Sequence, residues 1–178
     1  MNQTITYRKP VTTMLEVFES LPEGTLAQLI KNQLFMSPAP PDTHQRVVLE
    51  IANKIYNWLK KSKTGLLRTA PYDVYLDSRN VYQPDIVFIS NEKARLIKEN
   101  GFHGVPDLII EVLSIHNAHH DLGEKMEVYA RKGVKEYWLI EPYEKLARGY
   151  WLVNDEFHQF AEKNGVVNSK LLQKKFSF

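Results

Sequence analysis

The chain has no cysteine among its 178 residues. Disulfides, zinc–thiolate centres and thiol nucleophiles are therefore excluded, and the composition suits a reducing compartment. Nowhere does the sequence offer the run of about 18 consecutive apolar residues that a membrane-spanning helix needs. Its opening, MNQTITYRKP, shows no apolar core followed by a cleavage signal. The expectation is a cytoplasmic protein with no membrane association. Charge of one sign is scarce too: 23 Lys and Arg against 21 Asp and Glu leave a net +2. A field that weak selects no partner, so any preference for a polyanion has to come from local clusters. Two such clusters are Lys60, Lys61 and Lys63 with Arg68, and Lys170, Lys174 and Lys175. There is no internal repeat and no low-complexity tract.

What is present suffices for one packed domain: 43% hydrophobic and 11% aromatic residues. A short helix is expected over 11–20, then a turn at LPEG, then a hairpin over 25–37 reversing at Lys31-Asn32. SPAPPD at 37–42 can continue no regular element. Beyond it, Val48, Ile51, Ile55, Trp58 and Leu59 recur at helical spacing, which predicts a helix over 44–60 with His44 in its first turn near the apolar face. The stretch GLLRTAPYDVYLDSRNVYQPDIVFIS reads as one β-hairpin turning at Asp77-Ser78-Arg79-Asn80. A polar connection, 91–104, leads to a strand over 106–114. A helix over 122–132 follows, with Asp121 and Glu124 as a capping box and Gly133 as its stop. KEYWLIEP is the last clear strand, before KLARGYWLV and a less regular tail. The order predicts an α/β fold with a mixed sheet flanked by helices.

One residue breaks the apolar pattern. PDLIIEVLS, residues 106–114, sets Glu111 among Leu, Ile and Val. A buried carboxylate costs several kcal/mol unless it is protonated, paired or bound to a cation. Two Pro-Asp pairs offer a partner. Asp107 shares a face of the same strand with Glu111 but lies about 13 Å away at about 3.3 Å per residue, too far for one ion; its expected role is a cap after Pro106. Asp85 lies on a neighbouring strand-like run, and paired strands are only about 4.8 Å apart, so Asp85 can converge on Glu111. Two facing carboxylates repel unless a cation sits between them. Magnesium accepts oxygen ligands and commonly uses one or two carboxylates beside phosphate oxygens. That donor set points to phosphodiester hydrolysis.

The stretches HQRVV, YQPDIVFIS, GVPDLIIEVLS and GEKMEVYARKGVKEYW, in this order and spacing, closely resemble the Uma-type family of restriction-endonuclease-like proteins, within the PD-(D/E)XK nuclease superfamily. The resemblance covers about residues 20–150. It implies a restriction-endonuclease-like fold over 1–178, with an N-terminal extension at 1–43, a nuclease core at 44–150 and a tail at 151–178. It also implies a magnesium-dependent endonuclease acting on DNA, with manganese able to replace magnesium and a homodimer expected for cutting two strands. The implied catalytic residues are Asp85, Glu111 and Lys125, and the implied metal ligands are Asp85, Glu111 and the Val112 backbone carbonyl. Superfamily members carry a lysine two residues after the glutamate, where this chain has Leu113. In the Uma-type pattern that lysine comes from the next helix, at Lys125. On a helical wheel Lys125 lies at the edge of the inward face marked by Leu122, Met126, Tyr129 and Ala130. His44 and Gln28 match positions with an auxiliary role. Gln28 replaces a family glutamate and Ile115 a family proline, so a metal role for Gln28 and the shape of the adjoining loop are the points of departure.

Three other readings stay open on the residues alone. HNAHHD spaces His116 and His120 as zinc ligands on one helical turn would be. A nuclease-like module that holds DNA or a protein without cutting would fit Gln28 and the near-neutral charge. An interaction domain would use the aromatics from Tyr137 to Trp151 as a dimer surface.

Overall fold

The structure is a computed structural model and describes residues 13–114 and 123–178. After the short helix α1 (Met14–Glu19), strands β1 (Ala27–Ile30) and β2 (Gln33–Met36) form the expected hairpin. Its two turn residues, Lys31 and Asn32, both have positive φ, 48° and 68°. That geometry suits the twist of a tight hairpin but is unusual for lysine. Here the Lys31 N–H donates to Asn80 Oδ1 and the Asn32 N–H to the Arg79 carbonyl, which tie the turn to its neighbour.

The long helix α2 (Asp42–Ser62) begins once the proline run ends, and Lys63 closes it in a left-handed conformation. Its apolar stripe, including Val47, Ile51, Ile55 and Leu59, is buried. Each of these side chains contributes about 1.5–3 kcal/mol on leaving water.

The segment expected to be a single hairpin behaves differently. The polar turn does join β4 (Val74–Asp77) to β5 (Asn80–Tyr82), but each apolar run is cut in two. Ala70 to Asp73, with a cis Ala70–Pro71 peptide, separates β3 (Gly65–Thr69) from β4. Gln83-Pro84-Asp85 separates β5 from β6 (Ile86–Ser90). The proline in each interruption lacks the N–H that would carry a ladder onward. The chain therefore crosses from one sheet to another and back.

A 3-10 turn (Asn91–Leu96), β7 (Ile97–Lys98) and β8 (Gly101–Phe102) lead to β9 (Leu108–Val112). Helix α3 (Glu124–Lys132) then precedes β10 (Glu136–Glu141), β11 (Leu146–Val153), β12 (Glu156–Asn164), β13 (Val166–Ser169) and β14 (Lys174–Ser177). α3 starts at Glu124 with Gly123 as its N-cap, later than expected, and stops at Gly133 (φ 90°) as expected. Asp121, the proposed capping partner, and the histidines 116, 119 and 120 lie outside the described residues.

One six-stranded sheet has the order β2-β1-β5-β4-β8-β7, the other β12-β11-β10-β9-β6-β3, and β13-β14 is a separate hairpin. β9 runs antiparallel to β6 and parallel to β10, so the second sheet is mixed. Together with the flanking helices this is an α/β fold. Leu108, Ile110 and Val112 of β9 pack with the α2 stripe, while Ile109 and Leu113 face the other way, among residues of β4, β6, α3 and β10. Glu111 shares that second face. Of the aromatics considered as a dimer surface, Tyr137 and Trp138 are fully buried, Tyr150 and Trp151 are half-buried and Tyr143 is exposed. No described helix is long and apolar enough to cross a membrane.

Candidate active site

The register of β6 against β9 positions the carboxylates. Ile86 pairs with Ile110, so Asp85, one residue before β6, stands opposite Glu111. β6 has ended at this level, and the ladder bonds it would have made are replaced by side chains. The Val112 N–H donates to Asp85 Oδ2 at 2.7 Å, and the Asp85 N–H donates to Glu111 Oε2 at 3.2 Å. Each carboxylate thus accepts the amide that the broken strand pairing left over.

α3 crosses this end of β9 and supplies the cation. Lys125 Nζ lies 3.1 Å from Glu111 Oε1, and Tyr129 Oη donates to the same oxygen at 2.9 Å. Glu111 is 2% exposed and Lys125 3%. Lys125 is therefore not a lysine that covers the core with its stem and keeps its ammonium in water. Its charge is buried against the one carboxylate that the apolar pattern had singled out.

From the opposite side, the first turn of α2 contributes His44, whose Nε2 is 3.1 Å from Asp85 Oδ2. Burial alone would lower the His44 pKa. The hydrogen bond and charge of Asp85, aided by the Val112 backbone and Glu111, raise it above the ordinary histidine value. His44 Nδ1 is buried without a hydrogen-bond partner.

Asp85, Glu111, Val112, Lys125, His44 and Gln28 all line one cavity of about 380 Å³. Pro38, Pro40, Pro41 and Pro71 form part of its wall. Among the described residues nothing donates a hydrogen bond to Asp85 Oδ1, and both carboxylates and the Val112 carbonyl are hard oxygen donors. The residues present fit a divalent cation of the magnesium type. Among the described residues there is no group of three or more His, Cys, Asp or Glu side chains arranged to hold a metal ion. A metal here would rest on two carboxylates and backbone.

The profile of the Uma2 family, described as "putative restriction endonuclease", matches residues 15–176. The chain belongs to the Uma2 family. A solved structure described as a putative nuclease belonging to DUF820, from Anabaena variabilis ATCC 29413, is similar in fold. It is 21% identical, with a TM-score of 0.72 over 89% of this chain and 88% of that one. No curated protein matches the chain.

For this Uma2-family chain, the apolar pattern and strand spacing singled out Glu111 and Asp85, the resemblance implied Lys125, and the fold gathers all three in one cavity. His44 joins them through Asp85. Gln28 lines the cavity but touches neither carboxylate: its Oε1 accepts the Gln83 N–H at 3.1 Å. Asp107 is elsewhere, accepting the Ser90 N–H at 3.0 Å and pairing with Lys93 and Lys135. Sequence reasoning assigned Tyr129 only to the inward face of its helix. Its position four residues after Lys125, on the same side of the helix, was the available signal that both reach one target.

Proposed function

We propose that the protein is a metal-dependent endodeoxyribonuclease that hydrolyses DNA phosphodiester bonds, using magnesium or, in its place, manganese. The observation that carries this reading is the convergence of Asp85, Glu111 and Lys125, from three different elements, on one cavity. Asp85, Glu111 and the Val112 carbonyl would hold the ion. When bound, such an ion polarises a phosphoryl oxygen and lowers the pKa of a coordinated water.

The protein's own residues do the rest. Lys125 brings a fixed positive charge to a site walled partly by proline, where negative charge developing on a phosphoryl group is stabilised more strongly than in bulk water. Tyr129 holds the Glu111 carboxylate and the Val112 amide holds that of Asp85, so neither has to reorganise during the reaction. His44 orients Asp85 from behind. Cutting both strands of a duplex would call for two sites related by a two-fold axis, hence a homodimer.

The test is nicking of supercoiled plasmid in EDTA, magnesium or manganese by the wild type and by Asp85→Asn and Lys125→Met. Cutting that needs the ion and falls by about 10²–10³-fold in either variant is expected, the usual loss on removing a group that stabilises transition-state charge. Ion-independent cutting, or full activity in Asp85→Asn, would refute the assignment. The neutral Gln28, where an acidic residue is usual in the resemblance, favours a second reading: a nuclease-like module that binds DNA or a protein without cutting. DNA binding in magnesium with no cleavage of any tested DNA would select it.

A further inference from the structure

One polar side chain in the cavity is left unused by this chemistry. Gln28, on β1, is 7% exposed and lines the same cavity as Asp85, Glu111 and Lys125. Its Oε1 accepts the Gln83 backbone N–H. A backbone N–H can only donate, so turning the amide over would set donor against donor; the assignment of its oxygen and nitrogen follows from the chemistry. The peptide that holds it is itself fixed. The Gln83 side-chain Nε2 donates to Asp73 Oδ1 at 2.8 Å and to the Thr25 carbonyl at 3.2 Å. Among the described residues Gln28 Nε2 makes no hydrogen bond, and it is not sealed away from solvent. This nearly buried residue lines the cavity, and its Nε2 keeps two N–H donors for which no partner is found among the described residues.

We propose that Gln28 contacts the substrate, donating a hydrogen bond to a phosphate oxygen of the bound DNA strand, and does not ligate the cation. The assignment rests on the nuclease reading. A hard cation needs an oxygen, and the only side-chain oxygen of Gln28 is already held by the Gln83 N–H, whereas its nitrogen can only donate. A phosphate oxygen is an acceptor, and side-chain amides are among its regular donors. A carboxylate at this position would offer oxygens in both directions and add a negative charge where the DNA backbone must approach. A single exchange of oxygen for nitrogen thus turns a position suited to a cation into one suited to an anion.

Gln28→Glu tests this cleanly, because one carboxylate oxygen can still accept the Gln83 N–H while the other replaces the donors. A fluorescein-labelled DNA oligonucleotide, single-stranded and duplex, is titrated in calcium with anisotropy as the readout. Calcium affinity is measured separately by calorimetry, and thermal unfolding in EDTA checks the fold. DNA affinity is expected to fall about tenfold or more in Gln28→Glu, which loses a hydrogen bond to a charged group and adds a like charge. It should fall less in Gln28→Ala, whose calcium affinity should equal the wild type's. Wild-type DNA affinity in Gln28→Glu, or calcium affinity reduced tenfold in Gln28→Ala, overturns the assignment while leaving the nuclease reading intact. A wild-type protein that binds neither form of DNA overturns the nuclease reading, and this assignment with it.

Discussion

Removing Lys125 should destabilise the protein severely, and removing Glu111 as well should restore most of the loss. The two charges are 3.1 Å apart and both side chains are almost fully buried. At an effective dielectric of about 20 their attraction is about 5 kcal/mol, against desolvation costs of several kcal/mol for each ion. The pair as a whole is therefore close to neutral for stability, but a single survivor is not. In Lys125→Met the length of the side chain is kept and the buried carboxylate loses its cation. Tyr129 and the Asp85 amide still donate to it, which puts the cost at the lower end of the usual range, about 3 kcal/mol. For a chain of this size that corresponds to a Tm lower by about 6–12 °C. Glu111→Gln takes the facing carboxylate away from the buried ammonium and should cost a similar amount. The double variant should lose far less than the sum, about 1–2 kcal/mol rather than 6, a coupling of several kcal/mol. Urea denaturation of all four proteins in EDTA, followed by far-UV circular dichroism, measures the cycle. Additive losses would show that the two residues do not depend on each other and would refute the pairing.

Asp107 and Glu136 should shape the pH dependence in opposite directions. Burial alone would raise the Asp107 pKa, but Lys93, the Ser90 amide and Lys135 hold it below the ordinary aspartate value. A depressed carboxylate contributes stability above its unfolded pKa and loses it as pH falls through the folded value. Asp107→Asn should therefore cost about 1–2 kcal/mol at neutral pH, moderated because both lysines are partly in water, and almost nothing in acid; an equal cost at both pH values would contradict this. At Glu136, burial raises the pKa in spite of hydrogen bonds from Trp138 Nε1 and the Leu171 N–H. A raised carboxylate stabilises the fold below its unfolded pKa and loses that contribution as pH climbs through the folded value. Relative to wild type, Glu136→Gln should gain stability as the pH rises above the ordinary glutamate value; a parallel pair of denaturation profiles would refute it. A Cβ on Gly149 would come within 2.7 Å of the Trp138 indole on the paired strand. Gly149→Ala should cost about 1–3 kcal/mol of overpacking and shift the buried tryptophan emission; unchanged emission and Tm would count against so close a contact.

Much of this architecture was legible because it rests on local periodicity. The stripe of α2 repeats every three or four residues, and only one face of that helix is buried. Gly133 ends α3 because it takes a positive φ without steric cost. The two excursions between sheets were not legible. Val, Tyr, Ile and Phe have the same β preference in either sheet, and a proline marks a break without saying where the chain goes next. Which lysines would neutralise Asp107 was equally hidden, since Lys93 and Lys135 approach it from segments on either side of β9.

The candidate site divides along the same line. The apolar run around Glu111 made a buried carboxylate conspicuous, and strand spacing favoured Asp85 over Asp107 as its partner, because a residue four places along a strand is out of reach. Family resemblance supplied Lys125. The tertiary structure alone decided that β6 stops one residue short of Glu111, so that unpaired strand amides bind the two carboxylates. It also decided that His44 approaches Asp85 from α2, that Tyr129 and Lys125 share one oxygen, and that Gln28 gives its oxygen to the Gln83 N–H. The sequence by itself determined which groups are out of place in a hydrophobic setting, since that is a property of a residue and its neighbours in the chain. Only the fold determined which hydrogen-bond donors meet them, because those donors come from segments far apart in the sequence and their directions depend on register.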